Sequence, residues 1–128
     1  MKDFLKYHQS TGFITLNNSQ NIVAKGWAGK GDGRNNPAMQ TEHCLGPLPQ
    51  GWYTIGGWEE HHNELGPMVA ALWPDESNEM FGRDSFYFHG PSMDPAEYGQ
   101  ESKGCIVLPH AQRQKVKDTG IIRLNVVA

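Results

Sequence analysis

The sequence predicts a mostly β domain with one or two short helices. Three observations carry that expectation. Gly, Pro and Asn clusters punctuate the chain at short intervals, with 15 Gly and 8 Pro in 128 residues. The apolar runs between them are short, alternating or aromatic, as strands are. A single stretch, Pro109–Asp118, carries helix signals at both ends: Pro in the first turn and Thr119-Gly120 after the last.

The elements follow in order. Thr11–Leu16 (TGFITL) alternates as a strand, and Asn17-Asn18-Ser19 turns it toward a hairpin partner at Asn21–Trp27. Gly29–Pro37 (GKGDGRNNP) is rich in glycine, but Pro37 interrupts the helix that a phosphate-binding loop requires. It reads as a structured surface loop. Gly46–Gly56 (GPLPQGWYTIG) is a Pro/Gly turn feeding a strand at Trp52–Ile55. The polar stretch WEEHHNELG, Trp58–Gly66, reads as a loop. Pro67–Trp73 (PMVAALW) is an apolar run of core-strand length. In Phe86–His89, Phe86 and Phe88 share one face and Tyr87 and His89 the other, so a core-facing Phe pair would turn His89 to the more open side. Cys105–Leu108 and Ile121–Val127 supply the last strands.

Length suits one domain spanning residues 1–128, large enough to fold without a disulfide or metal. The composition, 38% hydrophobic and 20% charged, is that of a folded, water-soluble chain. A net charge of −3 with no basic cluster argues against a nucleic-acid partner. No stretch approaches the roughly 18 apolar residues of a membrane span. The opening MKDFLKYHQSTGF lacks the apolar segment of a secretory signal, so synthesis in the cytoplasm is expected, with any outward route using other means. Cys44 and Cys105 are too few for a disulfide framework or a Cys-based zinc site, although a single Cys44–Cys105 bridge stays open.

The chemistry centres on SKGCIVLPH, Ser102–His110, and on the upstream FYFHG containing His89. A cysteine attacks as its thiolate, and a neighbouring imidazole can take the proton. Gly104 permits a tight turn, in which its N–H and that of Cys105 would face a developing oxyanion. Ser102 would hold the turn by bonding to main chain. Gly90 thins the wall beside the imidazole, and a backbone carbonyl would fix the His89 tautomer. A working thiol of this kind should alkylate quickly below pH 7. The competing description is a packed structural sulfur beside Ile106 and Val107, and the spacing alone does not decide between them.

These residues carry a resemblance. His89-Gly90, then Ser102-Lys103-Gly104-Cys105-Ile106 after a loop, resembles the signature of the L,D-transpeptidase catalytic domain. Leu48-Pro49-x-Gly51-x-Tyr53-x-Ile55 is similar to that family's Pro-x-Gly-x-aromatic-x-Ile strand. Gly12-Phe13-x-Thr15-Leu16, Gly26-x-Ala28-Gly29-x-Gly31 and Asn35-Asn36-Pro37 resemble one branch, the type VI secretion L,D-transpeptidase effectors and their prophage relatives. The resemblance implies an L,D-transpeptidase-like β-sandwich with Cys105 as nucleophile and His89 as general base. It implies peptidoglycan stem peptides as substrate, no cofactor, a monomer, a possible cognate immunity protein and action in the periplasm. Lys103 stands where the family has histidine and Val107 where it has arginine, which leaves the substrate's carboxylate partners open. Lys103, Tyr87 and Tyr53 are the candidate substrate-binding residues. Trp52, Trp58 and Trp73 are groove or core.

Two rival functions remain at this level. Five histidines, His43, His61, His62, His89 and His110, raise a zinc peptidase, but no metal-ligand spacing with an orienting carboxylate accompanies them. A non-catalytic wall-binding or phage structural module on the same fold is the other.

Overall fold

A computed structural model describes residues 2–94, 96–97 and 102–128. Among the described residues ten strands arise in chain order: β1 (Leu5–His8), β2 (Phe13–Leu16), β3 (Ile22–Lys25), β4 (Trp27–Ala28), β5 (Gly51–Ile55), β6 (Glu59–His62), β7 (Gly66–Pro74), β8 (Phe86–His89), β9 (Ile106–Val107) and β10 (Arg123–Val127). One helix, α1 (His110–Asp118), separates β9 from β10. The strands join in the order β3-β2-β1-β10-β5-β7-β8-β9-β4, with β6 paired to β7. The β1–β10 and β8–β9 pairs are parallel and the others antiparallel.

That order has a consequence for shape. β3 and β4 occupy opposite ends of the strand path, yet only Gly26 lies between them in the chain. The sheet must therefore curl over until its ends meet. At the meeting point a Cβ on Gly26 would overlap the carbonyl oxygen of Val107, so only glycine fits. The predicted partner strand Asn21–Trp27 is thus broken at Gly26: β3 pairs with β2, and β4 leaves for β9.

Alternation fills the space between the layers. In β10, Leu124 and Val126 point inward, and in β5 Tyr53 and Ile55 do the same. Phe86 and Phe88 of β8 are buried as their spacing predicts. Each such side chain contributes about 1.5–3 kcal/mol on full burial. α1 starts at Pro109, whose carbonyl accepts the N–H groups of Gln112 and Arg113. It lies against β3, where Gln112 Oε1 accepts the Lys25 N–H at 2.9 Å. Among the described residues no helix is long and apolar enough to cross a membrane.

Two strands depart from expectation. β1 forms in the opening segment, because Leu5 and Tyr7 alternate inward and β10 offers a parallel edge. β6 forms in the polar stretch read as a loop, because its main chain pairs with β7 from Glu59↔Val69 to His62↔Gly66. Both cysteines are free.

Candidate active site

Cys105 sits in the turn that delivers the chain into β9. Ser102, fully buried, is the pin of that turn. Its Oγ accepts the N–H groups of Gly29 (2.9 Å) and Gly104 (3.1 Å) and donates to the Cys105 carbonyl at 2.6 Å. Gly104 adopts φ +125°, and a Cβ there would lie 2.5 Å from Arg83 Nη2 and 2.7 Å from the Phe86 ring. The position requires glycine on both counts. One expectation needs correction: the Gly104 N–H is engaged by Ser102 and does not face the cavity as an oxyanion donor.

The sulfur keeps part of its surface in an open cavity, but protein packs closely around it. Burial pushes the thiol up to about 11, against the pull of the Tyr87 and Cys105 main-chain N–H groups and of the Arg83 charge. The Sγ lies 3.7 Å from the Ser85 carbonyl oxygen, a weak thiol hydrogen bond. The resting sulfur is therefore a thiol. Fast alkylation below pH 7 is not what this environment gives.

His89 ends β8, opposite Val107 of β9, two residues beyond Cys105. Its Nδ1 lies 2.8 Å from the Gly90 carbonyl oxygen. A carbonyl only accepts, so Nδ1 carries the proton and Nε2 is the basic nitrogen. His89 is 5% exposed, less open than its strand alternation implied, and yet it borders the cavity.

That cavity has a volume of about 800 Å³, and Cys105, His89, Tyr87 and Lys103 all line it. Its far wall is the β6–β7 hairpin, with Glu59, His61, His62 and Glu64. His62 is fixed in the opposite tautomer to His89, because its Nδ1 accepts the N–H groups of Glu64 (3.1 Å) and Leu65 (3.2 Å). Its ring meets the Tyr87 ring edge-on at 5.4 Å. Among the described residues no three His, Cys, Asp or Glu side chains converge to hold a metal ion.

Tyr53 does not join the site. It is fully buried, and its hydroxyl donates to the Pro49 carbonyl at 2.7 Å. It shares the inward face of β5 with Ile55, so it is core. Trp52 and Trp58 pack elsewhere, against Phe4 and Phe88, and Trp73 is 61% exposed. Of the five aromatics considered, Tyr87 alone borders the cavity.

Two buried arginines escaped the sequence reading. Arg83 is 6% exposed and lies beneath the turn that carries Cys105. Its Nη1 donates to the carbonyls of Gln40 (2.6 Å) and Pro47 (2.8 Å), and its Nη2 to those of Gly46 (2.9 Å) and Lys103 (3.1 Å). It thereby ties the 40–47 loop to the turn holding Cys105. Arg113, on α1, is 5% exposed and lies beneath Gly90. Its Nη1 donates to the carbonyls of Pro67 (2.5 Å) and Met68 (3.1 Å). Burial lowers the pKa of both. Their partners are main-chain carbonyls, which no side-chain motif marks.

The curled, mostly β sheet that brings the His89 strand end beside the Ser102–Cys105 turn has its like among solved L,D-transpeptidases. The structure is similar to an L,D-transpeptidase from Mycobacterium smegmatis, with a TM-score of 0.53 at 16% identity over 98% of this chain and 58% of that one. It is similar to the Ldtfm–avibactam carbamoyl enzyme, with a TM-score of 0.55 at 14% identity over 100% of this chain and 49% of that one. The imipenem complex of the L,D-transpeptidase LdtMt1 gives a TM-score of 0.54 at 14% identity over 98% and 58%. The chain thus spans 58%, 49% and 58% of the length of these structures. No curated protein matches the sequence. Residues 22–127 match the Tlde1 domain, and the chain belongs to that family of type VI L,D-transpeptidase effectors.

Proposed function

We propose that the protein is a cysteine L,D-carboxypeptidase and exchange enzyme acting on the tetrapeptide stems of peptidoglycan. The observation that carries this is a shared cavity: Cys105 and His89 line the same 800 Å³ space, with the basic Nε2 of His89 set by the Gly90 carbonyl. Cys105 Sγ attacks the carbonyl carbon of the diamino acid that precedes the terminal D-alanine. Because the resting group is a thiol, its proton moves to His89 Nε2 as the S–C bond forms. His89 then returns that proton to the departing nitrogen, the C–N bond breaks, and a thioester and free D-alanine remain. Water attacking the thioester gives a tripeptide. The amine of a free D-amino acid gives an exchanged tetrapeptide. In each case His89 accepts the attacking group's proton and the thiol is restored. The Cys105 N–H is the main-chain donor of the turn available to the oxyanion, now that Gly104 is engaged.

Trimming or exchange would deplete the tetrapeptides that wall metabolism uses, in keeping with an effector that acts in the periplasm after type VI delivery or phage lysis. Such an enzyme would be countered in its producer by an immunity protein. The test is incubation with muropeptides from a diaminopimelate-type wall, with products read by mass. A loss of one alanine from tetrapeptides, or its replacement by an added D-amino acid, is expected. Intact tetrapeptides after prolonged incubation would overturn the proposal.

A further inference from the structure

Trp73 is 61% exposed near the end of β7. A single exposed apolar side chain calls for no explanation, but the position of this one does. Strand register sets it in line with the sulfur. On β7, Trp73 is opposite Thr54 of β5, and Ala71 is opposite Tyr87 of β8. The parallel β8–β9 register, Phe88↔Ile106, sets Tyr87 beside Cys105 one residue earlier. Residues opposite one another, or two apart on one strand, point to the same face. Trp73, Ala71, Tyr87 and Cys105 therefore share the outer face of the sheet, where Tyr87 and Cys105 line the cavity.

The indole leans toward the cavity. A Cβ on Gly56 would lie 3.1 Å from Trp73 Nε1, 3.4 Å from the Ala71 carbonyl oxygen and 3.6 Å from Ala71 Cβ. The ring thus reaches out of its own row into that of Gly56 and Ala71, and a glycine at 56 gives it the room. From Ala71 to Cys105 is two strand spacings, about 10 Å, with Tyr87 between them. The β6–β7 hairpin walls the cavity at the other end of β7, where Glu59 pairs with Val69 and His62 with Gly66. An extended ligand held at Cys105 has its open path over Tyr87 toward Trp73.

We infer that Trp73 is a glycan platform: the amino-sugar that carries the stem stacks on the open indole face while the scissile carbonyl lies at Cys105. This deepens the proposed function and rests on it for the position of the scissile bond. The fit follows from length. The diamino acid is the third residue of the stem, so three residues separate its carbonyl from the sugar. Extended, three residues span roughly 10 Å, which matches the distance from Cys105 to the row the indole enters. The chemistry agrees with the length. A pyranose has a flat face of C–H groups rimmed by hydroxyls, and an indole is a flat apolar surface that needs no ordering on binding. Arg123 and Thr54 stand in the row of Trp73, Arg123 Nη1 donating to Thr54 Oγ1 at 3.0 Å, and supply polar groups for the sugar's rim.

The test uses two substrates that differ only in the sugar, the disaccharide-tetrapeptide and the free tetrapeptide. The Cys105→Ala protein, which cannot form the thioester, is titrated with each while the indole Nε1–H signals are followed by NMR. The disaccharide-tetrapeptide should bind on the order of tenfold more tightly and shift the Trp73 signal. The free tetrapeptide should leave that signal in place. In the active protein the same preference should appear in kcat/KM. Trp73→Ala should reduce the preference to about twofold or less, and Trp73→Phe, which keeps a flat ring, should retain part of it. Equal binding of the two substrates, a Trp73 signal that ignores the disaccharide, or a Trp73→Ala loss shared equally by both substrates overturns the platform. Sugar-dependent binding at Trp73 in a protein inert toward muropeptides would sink the enzymatic assignment and leave the platform standing. Stem trimming indifferent to the disaccharide would do the reverse.

Discussion

Arg83 and Arg113 make an instructive pair. Both are buried, neither has an acidic partner among the described residues, and each lies under one half of the site. Arg83 is saturated by four carbonyls that join two loops, so its charge is spent on holding the Cys105 turn. Arg113 spends two donors on β7 and leaves its side-on edge idle beside His89. The difference teaches that two cations buried to the same degree can be satisfied to very different degrees.

The comparison can be broken or sharpened by experiment. The largest effect is expected on the Arg83 side, at the sulfur itself. Cys105→Ala should remove turnover and the thioester mass adduct completely while circular dichroism stays unchanged; residual turnover would show that the sulfur is not the nucleophile. Next comes the titration of that thiol. With burial holding it up to about 11, iodoacetamide alkylation should climb by about five-thousandfold between pH 7 and pH 11. A plateau below pH 7 would mean a preformed thiolate–imidazolium pair. On the Arg113 side, His89→Ala should lower the rate by about 10²–10⁴-fold. A loss under about threefold would dismiss it as the base.

The two arginines themselves should diverge in urea unfolding. Arg83→Met strands four carbonyls and should cost about 3 kcal/mol or more. Arg113→Met strands two while removing an uncompensated buried charge, and about 1 kcal/mol is expected. Equal losses would erase the distinction. The smallest effect is at a surface control. Arg123 holds the Asp75 carboxyl below its usual range through a two-pronged pair of 3.0 and 2.8 Å. The pair is a third exposed, so Asp75→Asn should cost under about 1 kcal/mol at pH 7. Because the folded pKa is lowered, that contribution is complete above the ordinary carboxylate value near 3.9 and fades as pH falls through the lowered one.

Much of this was legible in the chain. Phe86 and Phe88 announced a core face, Pro109 and Gly120 bracketed α1, and the Ser102–Cys105 block marked the turn. Tyr53 was also readable, since a residue two positions from Ile55 on a strand shares its face. What the sequence hid has physical causes. β1 is four residues with only Leu5 and Tyr7 to mark its alternation, and one of its two partner strands lies over a hundred positions away. β6 is polar on both faces, and its strand character comes from main-chain pairing to β7. Arg83 and Arg113 find carbonyls from 20 to 46 positions distant, and carbonyls belong to every residue.

The parallel seam between residues 5–8 and 124–127 governs when this molecule can come into being. A ribosome releases the earlier partner long before the later one is made, and the nascent chain must hold an unzipped edge throughout. Such distant pairings slow folding and leave the growing polypeptide open to chaperones and proteases. A polypeptide truncated short of residue 124 would lack the seam entirely and leave one edge of β1 and one edge of β5 unpaired.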